Sequence, residues 1–372
     1  MSVKSIQIVA FDNPYPPNFG GAIDVFYKIE ALSKKGFDVY LHYFYTDRID
    51  VGPLKQLCKE LHGYKRNTSL INLFSSIPYR VKTRQSSALY SNLRRINKPI
   101  LFEGLHSTSV LVKHKFDVPI YLRTHNIEHE YSLGLAQSET NFVKKLGHYF
   151  EAYKLKRYES ILKKVHKIMT LSQRDDTYFS ENFNAETSFI PVFHGNEIIS
   201  SQTQIGSKKE KFALYHGDLT SPSNQLSVLF LLDVFKDLEH KFIVAGNRLS
   251  KAILQTMNSL DNCKYVELSS NKDLDDLLET AHVNVLYSNQ QSGTKLKVFN
   301  ALYKGKHVIV NDNIVDDKAI LSLCLRANTK EAFKTVINES FQSEFQLTKN
   351  RIEILNLYTP SQSIEQFIKL IN

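Results

Sequence analysis

The stretch AHVNVLYSNQQSGTKLKVFNALYKGKHVIVND, residues 281–312, decides the fold of this chain. It begins with a short β-branched and apolar run, Val283 to Tyr287, which is typical of a buried strand. From Thr294 apolar residues recur at helical spacing until Gly305, a residue type that commonly ends helices. A second apolar run, His307 to Val310, follows at once. Strand, loop, helix and strand in this order predict a parallel α/β sheet.

The chemistry of this stretch lies where the loop becomes a helix. The first backbone N–H groups of a helix have no partner, and the helix dipole places partial positive charge there. Thr294 can cap the helix, while Lys295 and Lys297 add two ammonium groups that oppose the dipole. A bound diphosphate would explain lysines in this position. The residues alone also allow a second interpretation, in which both lysines point into water.

The pattern SGTKLKVFNALYKGK resembles the donor-binding element of GT-B glycosyltransferases of the retaining "glycosyl transferases group 1" type. It is similar to a branch common in bacterial envelope-polysaccharide clusters. In that family this loop and helix grip the diphosphate and sugar of a nucleotide-sugar. Members usually carry glutamates at the positions of Ser292 and Asn300, where this chain has none. The resemblance implies donor contacts from Ser292, Gly293, Thr294, Lys295, Lys297 and Asn300.

Length and composition indicate a two-domain globular protein. A chain of 372 residues exceeds one ordinary domain, and 42% hydrophobic with 23% charged residues is typical of soluble proteins. No window approaches the roughly 18 apolar residues of a membrane span. The start lacks a signal peptide's apolar core, and the three scattered cysteines fit a reducing cytoplasm.

The formal net charge of +9 predicts an anionic partner. Nucleic acid, acidic lipid headgroups and nucleotide phosphates all carry the required charge. The sequence contains no zinc finger, no RNA-binding aromatic signature and no recognisable helix-turn-helix. We therefore expect no nucleic-acid partner.

The beginning of the chain predicts a Rossmann-like βαβ unit. A strand at residues 6–11 leads through a proline-rich loop to Gly20 and Gly21, then to a helix at 22–34. The unit lacks the GxGxxG fingerprint, which disfavours a dehydrogenase. A glycine pair lets the backbone approach another group closely. The resemblance places Gly20 and Gly21 against the donor phosphates, and a plain structural turn is the alternative.

Polar side chains follow two further predicted strands. In parallel sheets the carboxyl ends of the strands carry functional groups. PILFEGLH presents Glu103 and His106, and YLRTHNIEHE presents Arg123, His125, Asn126 and Glu128. The resemblance implies a catalytic pocket of Glu103, His106, His125 and Asn126, with Arg123 and Glu128 on the acceptor. A structural polar network is the alternative, and the spacing excludes the HExxH zinc motif.

Residues 141–167, NFVKKLGHYFEAYKLKRYESILKKVHK, predict one or two amphipathic helices rich in aromatic and basic residues. Such a helix can lie on an anionic membrane surface. Alternatively, it packs on the sheet with its lysines in water. The sequence favours this second interpretation. A lipid-linked acceptor would suit the first.

The second domain repeats the pattern of strand, glycine turn and helix. His216, Gly217 and Asn224 surround its first turn, where family members place basic residues that Asp218 and Ser223 replace here. Lys295 and Lys297 would compensate for that loss. In the next turn Arg248 is a candidate phosphate contact, with a surface residue as the alternative. The resemblance places the nucleotide base at the following turn, which contains Leu268 and Ser269.

We therefore predict an α/β chain with the GT-B fold. It has two Rossmann-like domains facing each other across a cleft and a C-terminal helix crossing back. The predicted boundaries are 1–193 with 350–372 for the acceptor domain, 194–211 for the linker, and 212–349 for the donor domain.

The function implied by the resemblance is transfer of a sugar from a nucleotide-sugar to a glycan or lipid-linked acceptor, with retention. No Asp-x-Asp dyad lies in a suitable loop, so neither a metal nor another cofactor is expected. We expect a cytoplasmic enzyme, with peripheral contact at the inner face of the plasma membrane left open. Two alternatives remain: a GT-B-type nucleotide-sugar epimerase, and a non-catalytic nucleotide- or sugar-binding protein.

Overall fold

The computed structural model describes residues 4–199, 210–290 and 295–372, which divide into two compact units. Unit 1 runs to Gly195 and resumes at Pro360, and unit 2 spans Asn196–Thr359. Each unit is built on a parallel sheet with helices between the strands. The prediction of two Rossmann-like domains is confirmed.

In the described part of unit 1, seven parallel strands form a sheet in the order β3-β2-β1-β4-β5-β6-β7. The strands are β1 Ser5–Ala10, β2 Asp38–Tyr45, β3 Glu60–Lys65, β4 Ile100–Glu103, β5 Ile120–Arg123, β6 Lys167–Thr170 and β7 Glu186–Phe189.

The α-helices of unit 1 are α1 Gly20–Lys34, α2 Leu54–Leu57, α3 Tyr79–Lys82, α4 Ser87–Ile96, α5 Glu128–Ser138, α6 Phe142–Tyr158, α7 Gln173–Asn182 and α15 Pro360–Ile371. Short 3₁₀ segments cover Leu70–Phe74, Leu105–Val112 and Glu159–Lys164.

Helices cover both faces of this sheet, which explains why its central strands are apolar throughout. Ile6 and Ile8 of β1 point into one core, together with Ile29 of α1 and Phe367 of α15. Val9 points to the opposite face, into a second core. The last helix of the chain is thus a structural part of unit 1.

In the described part of unit 2, six parallel strands follow the order β10-β9-β8-β11-β12-β13. The strands are β8 Phe212–Gly217, β9 Lys241–Gly246, β10 Cys263–Glu267, β11 Val283–Leu286, β12 His307–Val310 and β13 Leu325–Arg326. The helices are α8 Pro222–Phe235, α9 Lys251–Asn258, α10 Asn271–Thr280, α11 Lys297–Lys304, α12 Lys318–Leu321, α13 Lys330–Gln342 and α14 Lys349–Asn356.

The stretch that opened the sequence analysis folds as β11, α11 and β12. The helix begins at Lys297, three residues after Thr294, which lies outside the described residues. Val298, Phe299 and Leu302 are buried on its inner face. The strands on either side pair with each other in parallel, as predicted.

The return to unit 1 occurs later than the predicted residue 350. α14 stays with unit 2 because Arg351 is buried and donates to carbonyls at the end of α11. Its guanidinium bonds the carbonyls of Leu302, Gly305 and Lys306. α15 belongs to unit 1, where it contacts α1.

Within the described residues, none of the helices has the length and apolar character needed to cross a bilayer.

Candidate functional site

The carboxyl ends of β8 and β11 are neighbours in unit 2, and α11 begins beside them. The sheet order reverses at this point, because β9 flanks β8 on one side and β11 on the other. In open parallel sheets such a switch point leaves a crevice in which ligands bind. The fold brings three of the predicted donor residues together here: His216, Gly217 and Lys297.

Lys297, the first residue of α11, turns its ammonium inward onto the end of β8. Nζ donates to Oη of Tyr215 over 2.9 Å and to Oδ1 of Asn224 over 3.1 Å. It also lies 4.5 Å from the centre of the Tyr215 ring. A Cβ added at Gly217 would lie 3.4 Å from Nζ, so the glycine leaves that side of the ammonium open. Lys297 therefore does not simply point into water.

The surroundings of Lys297 are uncharged. Among the described residues no carboxylate pairs with it, and burial lowers the pKa of Lys297 to about 7. Burial, assisted by the nearby Lys297 charge, lowers the pKa of His216 to about 3, so this imidazole is neutral at pH 7. Among the residues that the structure describes, neither ring nitrogen of His216 has a hydrogen-bond partner, although the residue is only 2% exposed. A phosphate group would supply a counter-ion for Lys297 and an acceptor for a His216 N–H.

Tyr215 was not among the predicted residues. In the sequence Tyr215 belongs to an apolar run that predicts a buried strand, and the residue is fully buried. Its hydroxyl nevertheless holds Lys297 and donates to Oδ1 of Asn224 over 3.2 Å. A tyrosine next to the end of a strand is the only signal that the sequence offers for this role.

Asp218 and Ser223, which replace basic residues of the resembled family, have partners of their own. The Asp218 carboxylate accepts from Thr220 and from the amide of Asn247. The Ser223 hydroxyl donates to Asn289 over 2.8 Å. Neither side chain pairs with the ammonium of Lys297, so among the described residues its positive charge has no paired carboxylate.

The remaining predicted donor residues lie elsewhere along the same unit. Arg248 is exposed after β9, and Leu268 and Ser269 follow β10, on the other side of β8 from β11. The Leu268 N–H donates to the carbonyl of Gly246 over 2.9 Å. The fold therefore places these three residues at the ends of neighbouring strands and does not cluster them with Lys297.

Two predicted residues flank the start of α11. Lys295 is half-buried, and its backbone N–H donates to the carbonyl of Ile314 over 3.1 Å. The Asn300 amide oxygen accepts from the side chain of Asn196 over 3.0 Å. Ser292, Gly293 and Thr294 lie outside the described residues.

A second cluster lies in unit 1, where α1 faces the ends of β4 and β5. Nζ of Lys28 is 2.9 Å from Oδ2 of Asp24 and 2.6 Å from Oε1 of Glu103. All three side chains are fully buried. Sequence reasoning missed Asp24 and Lys28. The sequence feature that indicates them is their spacing. Asp24 and Lys28 are four positions apart, so they lie next to each other on the same, otherwise apolar, face of the helix.

Arg123 completes the neutralisation of this cluster. It contacts Asp24 through Nε at 3.3 Å and Nη2 at 3.0 Å, and it also donates to the carbonyls of Thr170, Ile190 and Pro191. The residue is fully buried and its donors are occupied. The predicted acceptor contact of Arg123 is therefore corrected to a positioning role, because no part of its side chain is free to meet a ligand.

Glu103 connects the buried charges to His125. Its Oε2 lies 3.1 Å from Nε2 of His125, while Oε1 holds Lys28. Burial alone would raise the pKa of Glu103, but the Lys28 ammonium and the His125 contact outweigh it and lower that pKa. An ionised carboxylate only accepts hydrogen bonds, so Nε2 of His125 carries the proton in this contact. Glu103 thereby fixes the orientation of the His125 ring.

His106 and His125 both pack near the ring of Phe11, the residue that follows β1. Their ring centres are 6.1 Å and 5.4 Å from the Phe11 ring, both in edge-on geometry. Nε2 of His106 is 3.0 Å from Oε2 of Glu128, at ion-pair distance but without hydrogen-bond alignment. Burial lowers the pKa of His106, which favours the neutral ring. Burial opposes ionisation of Glu128, but its neighbours, led by His106, still lower its pKa.

The glycine pair has a packing reason in this structure. Gly20 begins α1, and a Cβ on Gly21 would come within 2.4 Å of Cζ of Phe11. Only glycine fits so close to an aromatic ring. Asn126, the last of the predicted catalytic residues, lines a small cavity with Glu128.

Asp24, Glu103 and His125 each offer a ligand atom within 4.8 Å of the others, a spacing that could hold a metal ion. Lys28 and Arg123 already neutralise both carboxylates at hydrogen-bond distance. A metal ion would have to displace or repel these buried cations, so the donor set fits a neutral charge network better than a metal.

Comparison with known proteins places this geometry in context. No family model matches the sequence. A protein of Klebsiella pneumoniae, called an uncharacterized 44.6 kDa protein in the cps region, is 26% identical over 340 residues, covering 82% of each chain.

Among solved structures, TarM matches with a TM-score of 0.70 at 12% identity, covering 100% of this chain and 99% of its own. The lipopolysaccharide outer core galactosyltransferase WaaB matches with 0.67 at 12% identity, over 99% of both chains. HepE of Anabaena, in complex with UDP and glucose, matches with 0.65 at 12% identity, again over 99% of both. At these identities the likeness shows the fold, and the prediction of a GT-B fold is confirmed.

Proposed function

We propose that this chain, which has the GT-B fold, transfers a sugar from a nucleotide-sugar to a glycan or lipid-linked acceptor. The process served would be the assembly of a bacterial surface polysaccharide or glycoconjugate. The similar protein from a cps region and the nucleotide-bound solved relatives support this proposal. Retention of configuration, independence of metal and a cytoplasmic location belong to the same proposal.

The observation that carries the proposal is the inward-facing ammonium of Lys297 beside the ring of His216, which within the described ranges have no paired carboxylate and no hydrogen-bond partner, respectively. When a nucleotide-sugar reacts, the bond from the anomeric carbon to the diphosphate oxygen breaks and negative charge builds on that oxygen. A cation held in a poorly hydrated site stabilises such charge strongly. Lys297 would therefore hold the diphosphate and favour its departure, with Lys295 and the start of α11 beside it.

The acceptor side of the proposed reaction belongs to His125 and His106. The acceptor hydroxyl attacks the anomeric carbon and gives up its proton. Nδ1 of His125 can hydrogen-bond that hydroxyl, because Glu103 fixes the proton on Nε2. Lys28 keeps Glu103 ionised and in place, and Asp24, itself paired with Arg123, holds Lys28. Glu128 lies beside His106, with its Oε2 3.0 Å from Nε2 of that ring.

The test is binding of nucleoside diphosphates and their sugars, measured by thermal shift and calorimetry. We expect one nucleotide class to bind, and Lys297→Ala to weaken it by about 1.5–3 kcal/mol, the range for a hydrogen bond to a charged group. Lys304→Ala is the matched control, because Lys304 ends the same helix and pairs with Asp275 near the surface. Unchanged affinity in Lys297→Ala would overturn the assignment of the diphosphate site.

Product analysis separates transfer from the alternatives. An epimerase would convert the donor without any acceptor present. A non-catalytic binding protein would bind the nucleotide and release no sugar with any acceptor mixture. A transferase releases nucleoside diphosphate in step with glycosylation of the acceptor.

A further inference from the structure

The helix α6 has its aromatic residues on the outside. The sequence favoured packing of this apolar stripe on the sheet, and that expectation is wrong for the first three turns of the helix. Phe142 is 76% exposed, Phe150 60% and Tyr153 61%, and Leu146 and Tyr149 are exposed between them. These residues recur at intervals of three and four, so they share one helix face.

The opposite face of α6 makes the contacts that hold the helix in place. Ala152, Leu155 and Tyr158 are buried, and the helix packs along α5. The carbonyl of His148 accepts from the hydroxyl of Ser132 on that side. The exposed stripe is therefore not needed to fix α6, and its exposure calls for another explanation.

A neighbouring segment extends the same apolar surface. The 3₁₀ segment Leu70–Phe74 lies beside α6, because Nζ of Lys154 donates to the carbonyl of Leu73 over 2.6 Å. Phe74 is 90% exposed. Ten of the eighteen exposed large apolar side chains among the described residues belong to this segment and α6. We call this surface the aromatic patch; it comprises Leu70, Ile71, Leu73, Phe74, Phe142, Val143, Leu146, Tyr149, Phe150 and Tyr153.

The charge around the aromatic patch is positive. α6 carries five basic residues and one acid, Glu151. That carboxylate is occupied, because it accepts from the backbone N–H groups of Tyr79 and Arg80 at the start of α3. Lys145, Lys156 and Arg157 lie three or four positions from residues of the stripe, and Lys156 and Arg157 are exposed. An exposed apolar stripe bordered by basic side chains is complementary to a surface of anionic headgroups above an apolar layer.

We propose that the aromatic patch docks unit 1 on an anionic lipid bilayer, with α6 lying in the plane of the interface. Exposed apolar area of this extent marks an interaction surface in a soluble protein. Phenylalanine and leucine enter the boundary between headgroups and acyl chains, tyrosine keeps its hydroxyl at the headgroup level, and lysine attracts the anionic lipids. The use of this contact to reach a lipid-linked acceptor rests on the proposed transferase function, whereas the surface itself does not.

The chain contains no tryptophan, so a single introduced tryptophan reports its own surroundings. Phe150→Trp places the probe on the aromatic patch, and Leu357→Trp places a control probe at an exposed site of unit 2. With vesicles of equimolar phosphatidylcholine and phosphatidylglycerol, we expect a blue shift and quenching by brominated lipid for Phe150→Trp alone. Protein that sediments with vesicles while this probe stays water-exposed would overturn the proposal.

Sedimentation with the same vesicles measures the two contributions separately. The double variant Lys145→Gln, Arg157→Gln should lower partitioning by on the order of tenfold or more, since each cation near an anionic surface contributes a several-fold gain. Phe142→Ser with Phe150→Ser should lower it further, and Leu357→Ser should leave it unchanged. Equal binding to pure phosphatidylcholine, or full binding by both double variants, would overturn the proposal.

A second copy of the chain is the competing occupant of the aromatic patch. Light scattering on the lipid-free protein decides this point. A dimer that dissociates in the Phe142→Ser, Phe150→Ser variant and does not bind vesicles would overturn the proposal. Nucleotide binding is measured in every variant, and retained binding shows that the fold and the Lys297 site remain intact whichever way the vesicle result falls.

Discussion

The two units treat buried charge in opposite ways. In unit 1 the carboxylates of Asp24 and Glu103 are matched by Lys28 and Arg123 at 2.6–3.0 Å. In unit 2 the ammonium of Lys297 has uncharged partners only, as far as the described residues go, and its pKa is lowered to about 7. A compensated network needs no ligand and can hold a neighbour such as His125 in one orientation. A cation without a counter-ion favours binding of an anion. In the proposed function the first cluster therefore positions a side chain and the second binds the donor.

The largest expected effect is on the stability of unit 1. Lys28→Met leaves Asp24 and Glu103 buried with one cation between them, and breaking a buried pair in this way costs about 3–5 kcal/mol. Hydrogen exchange of the amides in α1 and β4 measures that loss locally. Lys34→Met on the same helix is the matched control, because Lys34 is exposed and its pair with Glu30 is worth about 1 kcal/mol or less. Equal losses for the two variants would contradict the network.

The next effect concerns turnover. His125→Ala removes the side chain that can meet the acceptor hydroxyl, so we expect turnover to fall by about a hundredfold or more with donor affinity unchanged. His129→Ala is the control from the same segment, because His129 bonds Glu159 at 2.7 Å and serves structure. A parallel loss of donor affinity in His125→Ala would show that the two clusters are not separate in function.

The smallest effect is a pH dependence. Lys297 is largely neutral above pH 7 in the free protein, and a bound diphosphate favours its protonated form. Affinity for the nucleotide-sugar should therefore fall by up to about tenfold per pH unit above 7, with proton uptake on binding. His216, with its pKa lowered to about 3, and Tyr215, whose pKa burial raises, do not titrate in this range.

Calorimetry in buffers of different ionisation enthalpy measures the proton uptake directly. Lys297→Gln should abolish both the uptake and the pH slope. The sign of the linked stability change is also fixed. The folded-state pKa lies below the ordinary value of about 10.4, so the unfolded chain binds more protons between those pH values. The stability of unit 2 should rise as the pH increases from 7 to about 10.

The sequence predicted the fold well because its signal is local. Apolar runs identify β8, β9, β11 and β12, the first two of which end in glycine, and the periodicity after Lys295 identifies α11. The order of these elements along the chain was enough to predict a GT-B fold. Strand ends also pointed to His125 and His216, because position at the end of a parallel strand is a property of the sequence pattern.

Long-range partners could not be predicted in this way. Arg123 follows an apolar strand just as His125 does, but contacts with Asp24 and three carbonyls from distant segments bury it completely. The sequence does not single out Lys28, because a charged residue in a helix usually faces water. The prediction that the apolar face of α6 packs on the sheet is wrong for a related reason. Apolar periodicity shows which residues share a helix face, but it does not show whether another element covers that face.

The place of α15 in unit 1 has a consequence for biosynthesis. Ile364, Phe367 and Ile368 belong to the same core as Ile6 and Val39, and all of unit 2 is encoded between them. A ribosome therefore emits most of unit 1 first, then an entire second unit, before the helix that closes the first core emerges. Nascent domains with exposed apolar surface are prone to association. Unit 1 therefore completes its core last, when α15 has been synthesised, and we expect a chaperone to bind unit 1 until then.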